Sequence, residues 1–140
     1  MRALFTGVYF SLFFVGSLFA TEAPQETYNF IGRHLFAQYY DCNQAALQDH
    51  KQLAETMQKA TLSSGATILG DIKHDFDPQG FSMIILLSES HASIHTYPEH
   101  GACFVDFFSC GSTCKAEKFD EVLRAYLKPK NVSCEILDRE

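Results

Sequence analysis

Apolar and polar positions alternate loosely from Phe30 to Tyr40, with Ile31, Leu35, Phe36, Tyr39 and Tyr40 carrying the apolar set, and this predicts a strand. Leu47, Leu53, Met57 and Ala60 then recur near helical spacing, and Gly65 gives a stop signal, which predicts one helix over 44–63. A second strand is expected over 66–76, broken by the turn sequence Asp77-Pro78-Gln79-Gly80. The unbroken apolar run Phe81–Leu87 predicts a buried strand, and the alternation from Ser93 to Tyr97 predicts another. Ala102–Phe108 reads as a further strand. Phe119, Val122, Leu123, Tyr126 and Leu127 fall at i, i+3, i+4, i+7 and i+8, a helical stripe ended by Pro129. Val132–Leu137 supplies a last edge strand. The order β-α-β-β-β-β-α-β, with short links between the middle strands, predicts an α+β fold: an antiparallel sheet with both helices on one face. The other sheet face then needs a cover. The simplest one is a second copy, giving an α/β sandwich that dimerises sheet to sheet.

The first residues do not belong to that pattern. Met1-Arg2 is a positive start, Ala3–Thr21 carries no charge, and small residues follow at Ala20 and Ala23. Residues 1–23 therefore read as a secretory signal peptide, with a membrane anchor as the alternative, and 24–29 as a polar linker to a domain over 30–140. At 140 residues and a net charge of -6 the chain fits one domain and lacks the basic stripe a nucleic acid needs. Five cysteines, an odd number, leave at least one thiol without an intrachain partner. Cys42, Cys103 and Cys134 read as small core residues, whereas Cys110 precedes Gly111 and the polar Ser112-Thr113, at the end of an element.

The chemistry concentrates between the third and fifth strands. Glu89, Ser90 and His91 are ordinary turn residues when taken alone. What changes the picture is the number of reactive groups nearby: Ser82, Ser90, His95, Glu99 and Cys110. A serine can attack the carbonyl preceding it, histidine moves protons at neutral pH, and a thiol can return one. A metal reading of His91, His95, His100 and Cys103 matches ligand types, but the spacing fits no common site.

These residues resemble the short prokaryotic type of S-adenosylmethionine decarboxylase, a self-processing pyruvoyl enzyme of polyamine (spermidine) synthesis. The resemblance runs through Gly32-Arg33-His34-Leu35, Ser64-Gly65-Ala66-Thr67, Pro78-Gln79-Gly80, Ser88-Glu89-Ser90-His91, Ile94-His95-Thr96, Pro98-Glu99, Asp106 and Cys110-Gly111. It implies that Ser90 attacks the Glu89 carbonyl, Ser82 assists, and His95 takes the α-proton of Ser90. The chain then splits between Glu89 and Ser90, and residue 90 becomes a pyruvoyl group, the only cofactor. By the same resemblance Cys110 is the proton donor, Glu99 binds the ribose hydroxyls, and Phe76 and Tyr97 stack on adenine beside the sulfonium.

Some positions depart from the family. Tyr97 stands where Trp is usual, His100 where Tyr is usual, Met83 where Gly commonly follows the Ser82 position, and Cys103 in a stretch that is usually Ala-rich. These positions fall near the expected substrate pocket and bear on the substrate more than on self-processing. One alternative is therefore a decarboxylase of arginine or ornithine on the same fold. Another, prompted by the export signal, is an exported binding or effector protein that no longer turns over the substrate; an oxidising compartment could also join Cys110 to Cys114.

Overall fold

The computed structural model describes residues 31–139. The expected signal peptide (or anchor) and linker, 1–29, lie outside the described residues, as does Phe30 at the start of the first predicted strand. In chain order the elements are β1 (Gly32–Tyr40), α1 (Gln44–Gln48), α2 (His50–Ser63), β2 (Ile68–Asp75), β3 (Phe81–Leu87), β4 (Ser90–Tyr97), a 3-10 turn (Pro98–His100), β5 (Ala102–Ser109), α3 (Ala116–Leu127) and β6 (Asn131–Arg139). The six strands form one sheet in the order β2-β3-β4-β5-β1-β6. Every neighbouring pair is antiparallel.

Two differences from the periodicity reading have local causes. The first helix is broken into α1 and α2 because Asp49 leaves the helical conformation and its carboxylate accepts from the Gln52 N–H at 3.0 Å, capping a new helix. Asn43 caps α1 in the same way, accepting from Ala46 N at 3.0 Å. Strand β4 begins at Ser90, not Ser93, so only Ser88 and Glu89 separate it from β3. The β2–β3 hairpin closes at the expected turn, where Phe76 N donates to Gly80 O at 2.9 Å and Gly80 takes φ +109°, a conformation that suits only glycine.

One sheet face and the two longer helices enclose the core. Leu35 and Tyr39 of β1, Met83 and Ile85 of β3, Ile94 of β4 and Val105 of β5 are fully buried against Leu53 and Met57 of α2 and Phe119, Leu123 and Leu127 of α3. Each such side chain contributes roughly 1.5–3 kcal/mol by leaving water. Tyr39 donates to Asp120, which also pairs with Arg124 at 2.6 Å, and burial with that acceptor pushes the phenol far up. Cys42 and Cys103 belong to this core, their thiols hydrogen-bonded to each other, and Cys134 packs at its margin.

The opposite sheet face carries no helix. Its side chains include Ile72, Ile84, Leu86, Phe36, Phe104 and Leu137, all exposed, with Ile84 at 46% and Leu86 at 57%. A contiguous apolar surface of this kind is unusual on an isolated domain.

Candidate active site

The Ser88-Glu89 turn is held from three sides. Ser88 N donates to Thr67 O at 2.9 Å, Thr67 N donates to a Glu89 carboxylate oxygen at 3.0 Å, and Cys110 N donates to the Glu89 carbonyl at 3.0 Å. The loop carrying Thr67 is itself seated on the segment after β5, where Lys115 N donates to Ser64 O at 2.8 Å. The carbonyl preceding Ser90 thus points at a fixed backbone donor, and Ser90 follows as the first residue of β4. Its hydroxyl lies 3.1 Å from His91 Nδ1.

Cys110 follows directly after β5, half-buried, with its Sγ 3.3 Å from where a Gly32 Cβ would stand. Ser109, paired in register with Ser90, is buried, and its Oγ accepts from Gly111 N at 3.1 Å. It also hydrogen-bonds to the Cys114 thiol. Burial, with the nearby Glu89 carboxylate, pushes that thiol up and keeps it protonated. Cys114 thus faces Ser109 and Glu89, while Cys110 faces Gly32 and Phe108. The sequence reading missed Ser109, although a serine at a buried position of an apolar strand is a signal in itself.

Gly111 is needed for this arrangement. A Cβ there would fall 2.9 Å from both Glu89 Cγ and Cys114 Sγ and 3.3 Å from Ser109 Oγ. Gly111→Ala is expected to loosen the Thr67–Glu89 tie and to slow any rearrangement of this peptide bond about tenfold or more, because reacting atoms lose their approach. A time course of chain splitting on a denaturing gel measures it; an unchanged half-time would mean the tie is dispensable.

A second group lies elsewhere on the sheet. Ser82 and His95 are register partners on the open face, with Ser82 Oγ 2.7 Å from His95 Nδ1. His74 pairs with Ser82 and Phe104 with His95 along the same row. Toward that end stand Phe76, edge-on to His74 at 4.6 Å, and Tyr97, edge-on to Phe104 at 5.5 Å. Glu99 is exposed in the 3-10 turn. Two of the four departures from the family pattern, Met83 and Cys103, are core residues on the helix face, 0% and 1% exposed. They are therefore remote from any site on the open face. Tyr97 and His100 are exposed.

The chain does not bring Ser90 and His95 together. They are five residues apart on one extended strand. That spacing is about 17 Å along the strand. Glu89, Ser90 and Cys110 form one half-site; Ser82, His95, Phe76, Tyr97 and Glu99 lie toward the other end.

The family model described as S-adenosylmethionine decarboxylase matches residues 33–140. A protein of Prochlorococcus marinus (strain MIT 9313) named S-adenosylmethionine decarboxylase proenzyme is 43% identical over 110 residues, 79% of this chain and 88% of that protein. One of the same name from Thermotoga maritima is 40% identical over 102 residues, 73% of this chain and 78% of that protein. The crystal structure of the adenosylmethionine decarboxylase from Aquifex aeolicus superposes with a TM-score of 0.72 at 29% identity, covering 78% of this chain and 90% of that one. By sequence and by fold, this chain belongs to the S-adenosylmethionine decarboxylase family.

Proposed function

We propose that the chain is a self-processing, pyruvoyl-dependent decarboxylase of S-adenosylmethionine that works as a two-fold dimer through its open sheet faces. The observation that carries the reading is the Glu89 carbonyl, fixed at 3.0 Å by the Cys110 N–H with the Ser90 hydroxyl on the next residue. Attack by Ser90 Oγ places negative charge on that oxygen, and a backbone donor already aimed at it lowers the barrier. Elimination at the ester then releases a chain ending at Glu89 and leaves residue 90 as a new terminus.

The residues present fit a pyruvoyl group at position 90: a β-hydroxyl to form it, a held carbonyl to leave, and Cys110, whose own N–H holds that carbonyl. That group supplies the electron sink for loss of the substrate carboxylate. Cys110 delivers a proton to the substrate carbon, Phe76 and Tyr97 offer faces to the adenine and the sulfonium, and Glu99 accepts from the ribose hydroxyls.

The dimer follows from the separation of the two half-sites. A two-fold axis between stacked sheets, near the middle of β4, exchanges the ends of the sheet. It lays Ser82 and His95 of one copy beside Ser90 and Cys110 of the other, and it covers Ile84, Leu86, Phe36 and Phe104. His95 from the second copy then takes the α-proton of Ser90. Export of the enzyme, carried by the uncharged run Ala3–Thr21, and supply of its product to polyamine synthesis complete the proposal.

Carbon dioxide release and intact mass, before and after borohydride, test the substrate and the keto group together. S-Adenosylmethionine is expected to release carbon dioxide and to add its mass to the chain beginning at residue 90, with arginine and ornithine inert. Release from ornithine or arginine alone would overturn the substrate; an unbroken chain with no hydride-reactive carbonyl would overturn the whole reading.

A further inference from the structure

Self-processing needs two proton transfers, and the structure supplies two histidines in different places. We infer that His91 is the catalytic base of the first transfer, within its own chain, while His95 of a second copy serves the second. The inference rests on the self-cleavage proposed above.

In the first step the Ser90 Oγ–carbonyl bond forms and the Glu89–Ser90 C–N bond breaks. The proton leaving Oγ must reach the Ser90 nitrogen, with no net gain or loss. The same chain's His95 sits about 17 Å along the strand, and in either copy the His95 Nδ1 is already engaged with Ser82. His91 Nδ1 lies 3.1 Å from Ser90 Oγ; in the tautomer with its proton on Nε2 it accepts from the hydroxyl, and the same nitrogen can hand the proton to the departing amine. In the second step the bond from Ser90 Cβ to the ester oxygen breaks as a base removes the Cα proton, and the Glu89 carboxylate leaves. That is a separate event at a separate atom.

The His91 ring is held for the task. It packs on Phe108 at 5.9 Å, its register partner across the open face. Phe108 is backed by the Arg139 guanidinium at 4.5 Å and by His34 at 5.4 Å, whose Nε2 lies 3.2 Å from Asp106. The Phe108 ring occupies the space a Gly32 side chain would fill, only 2.3 Å from that Cβ position. A glycine at 32 therefore lets Phe108 lie down as a platform for His91.

The test is a cell-free synthesis time course of the full chain carrying His91→Phe, His91→Asn or His95→Ala, each sampled with and without hydroxylamine, which cleaves esters and spares amides. His91→Phe keeps the ring packing on Phe108 but carries no proton. His91→Asn keeps an acceptor near the hydroxyl and also carries none. Both are expected to split about a hundredfold more slowly or worse and to build up no hydroxylamine-sensitive ester, with added imidazole restoring part of the His91→Asn rate. His95→Ala is expected to build up that ester. The inference fails if either His91 variant splits at the parental rate, or if both accumulate ester as His95→Ala does, which would move His91 to the elimination. Should one variant not melt cooperatively, the other decides. A parental chain that never splits would remove the self-cleavage reading itself, a result distinct from a parent that splits while the His91 variants match it.

Discussion

Ser90→Ala is expected to remain a single chain with no measurable decarboxylation. The substitution deletes one oxygen and leaves the fold intact, since Ser90 is the first residue of β4 and, among the described residues, its hydroxyl is hydrogen-bonded to His91 alone. Without that oxygen no ester forms, and amide hydrolysis unaided is slower than any purification. The keto group is then never made, so the loss of turnover is complete and not a matter of degree. The Cys110 N–H still holds the Glu89 carbonyl, which separates positioning from attack: the oxyanion donor alone does not split the chain. Intact mass of the purified variant and carbon dioxide release measure the two halves of the prediction. Cleavage directly after Glu89 in this variant would take the nucleophile away from position 90.

Much of this arrangement is legible from residue order, for reasons that differ by element. The stripe of Phe119, Leu123 and Leu127 is strong because every member meets the same core, and the run of Phe81–Leu87 because Phe81, Met83, Ile85 and Leu87 meet that core while Ile84 and Leu86 lie on the uncovered sheet face. The break at Asp49 is hidden because an aspartate inside a helical pattern reads as a solvated residue until its carboxylate is seen to accept from Gln52 N. Periodicity places the start of β4 too late because Ser90 and His91 have turn chemistry; tertiary pairing with Ser109, Leu86 and Phe108 overrides it. Met83 and Cys103 can be assigned to a pocket only while their faces are unknown. Period two on a strand turns a one-residue difference into opposite sides of the sheet, and both fall inward. Length of strand, and not parity, separates Ser90 from His95.

The largest consequence of that separation is a prediction about mixtures. Ser90→Ala and His95→Ala chains are each expected to fail to mature alone, the first for want of a nucleophile and the second for want of the base at the elimination. Co-expressed in equal amounts, they are expected to regain cleavage. In a mixed dimer one site joins the intact Ser90 of one chain to the intact His95 of the other, while the second site has neither. Random pairing makes about half of the dimers mixed, so about a quarter of all sites should mature, always on the chain carrying His95→Ala. Distinct affinity tags and intact mass identify which chain has split. A site contained within one chain predicts no recovery at any ratio, because the strand between Ser90 and His95 is straight and hydrogen-bonded on both sides, to β3 and to β5. Bringing the two residues together in one copy would require tearing β4 from the centre of the sheet, with Ala92 and Ile94 leaving the core. Losing two such buried side chains costs several kcal/mol, a large part of the about 5–15 kcal/mol that holds a domain folded. The proposed dimer has the opposite sign, since it would bury the exposed apolar side chains on the face that carries His95.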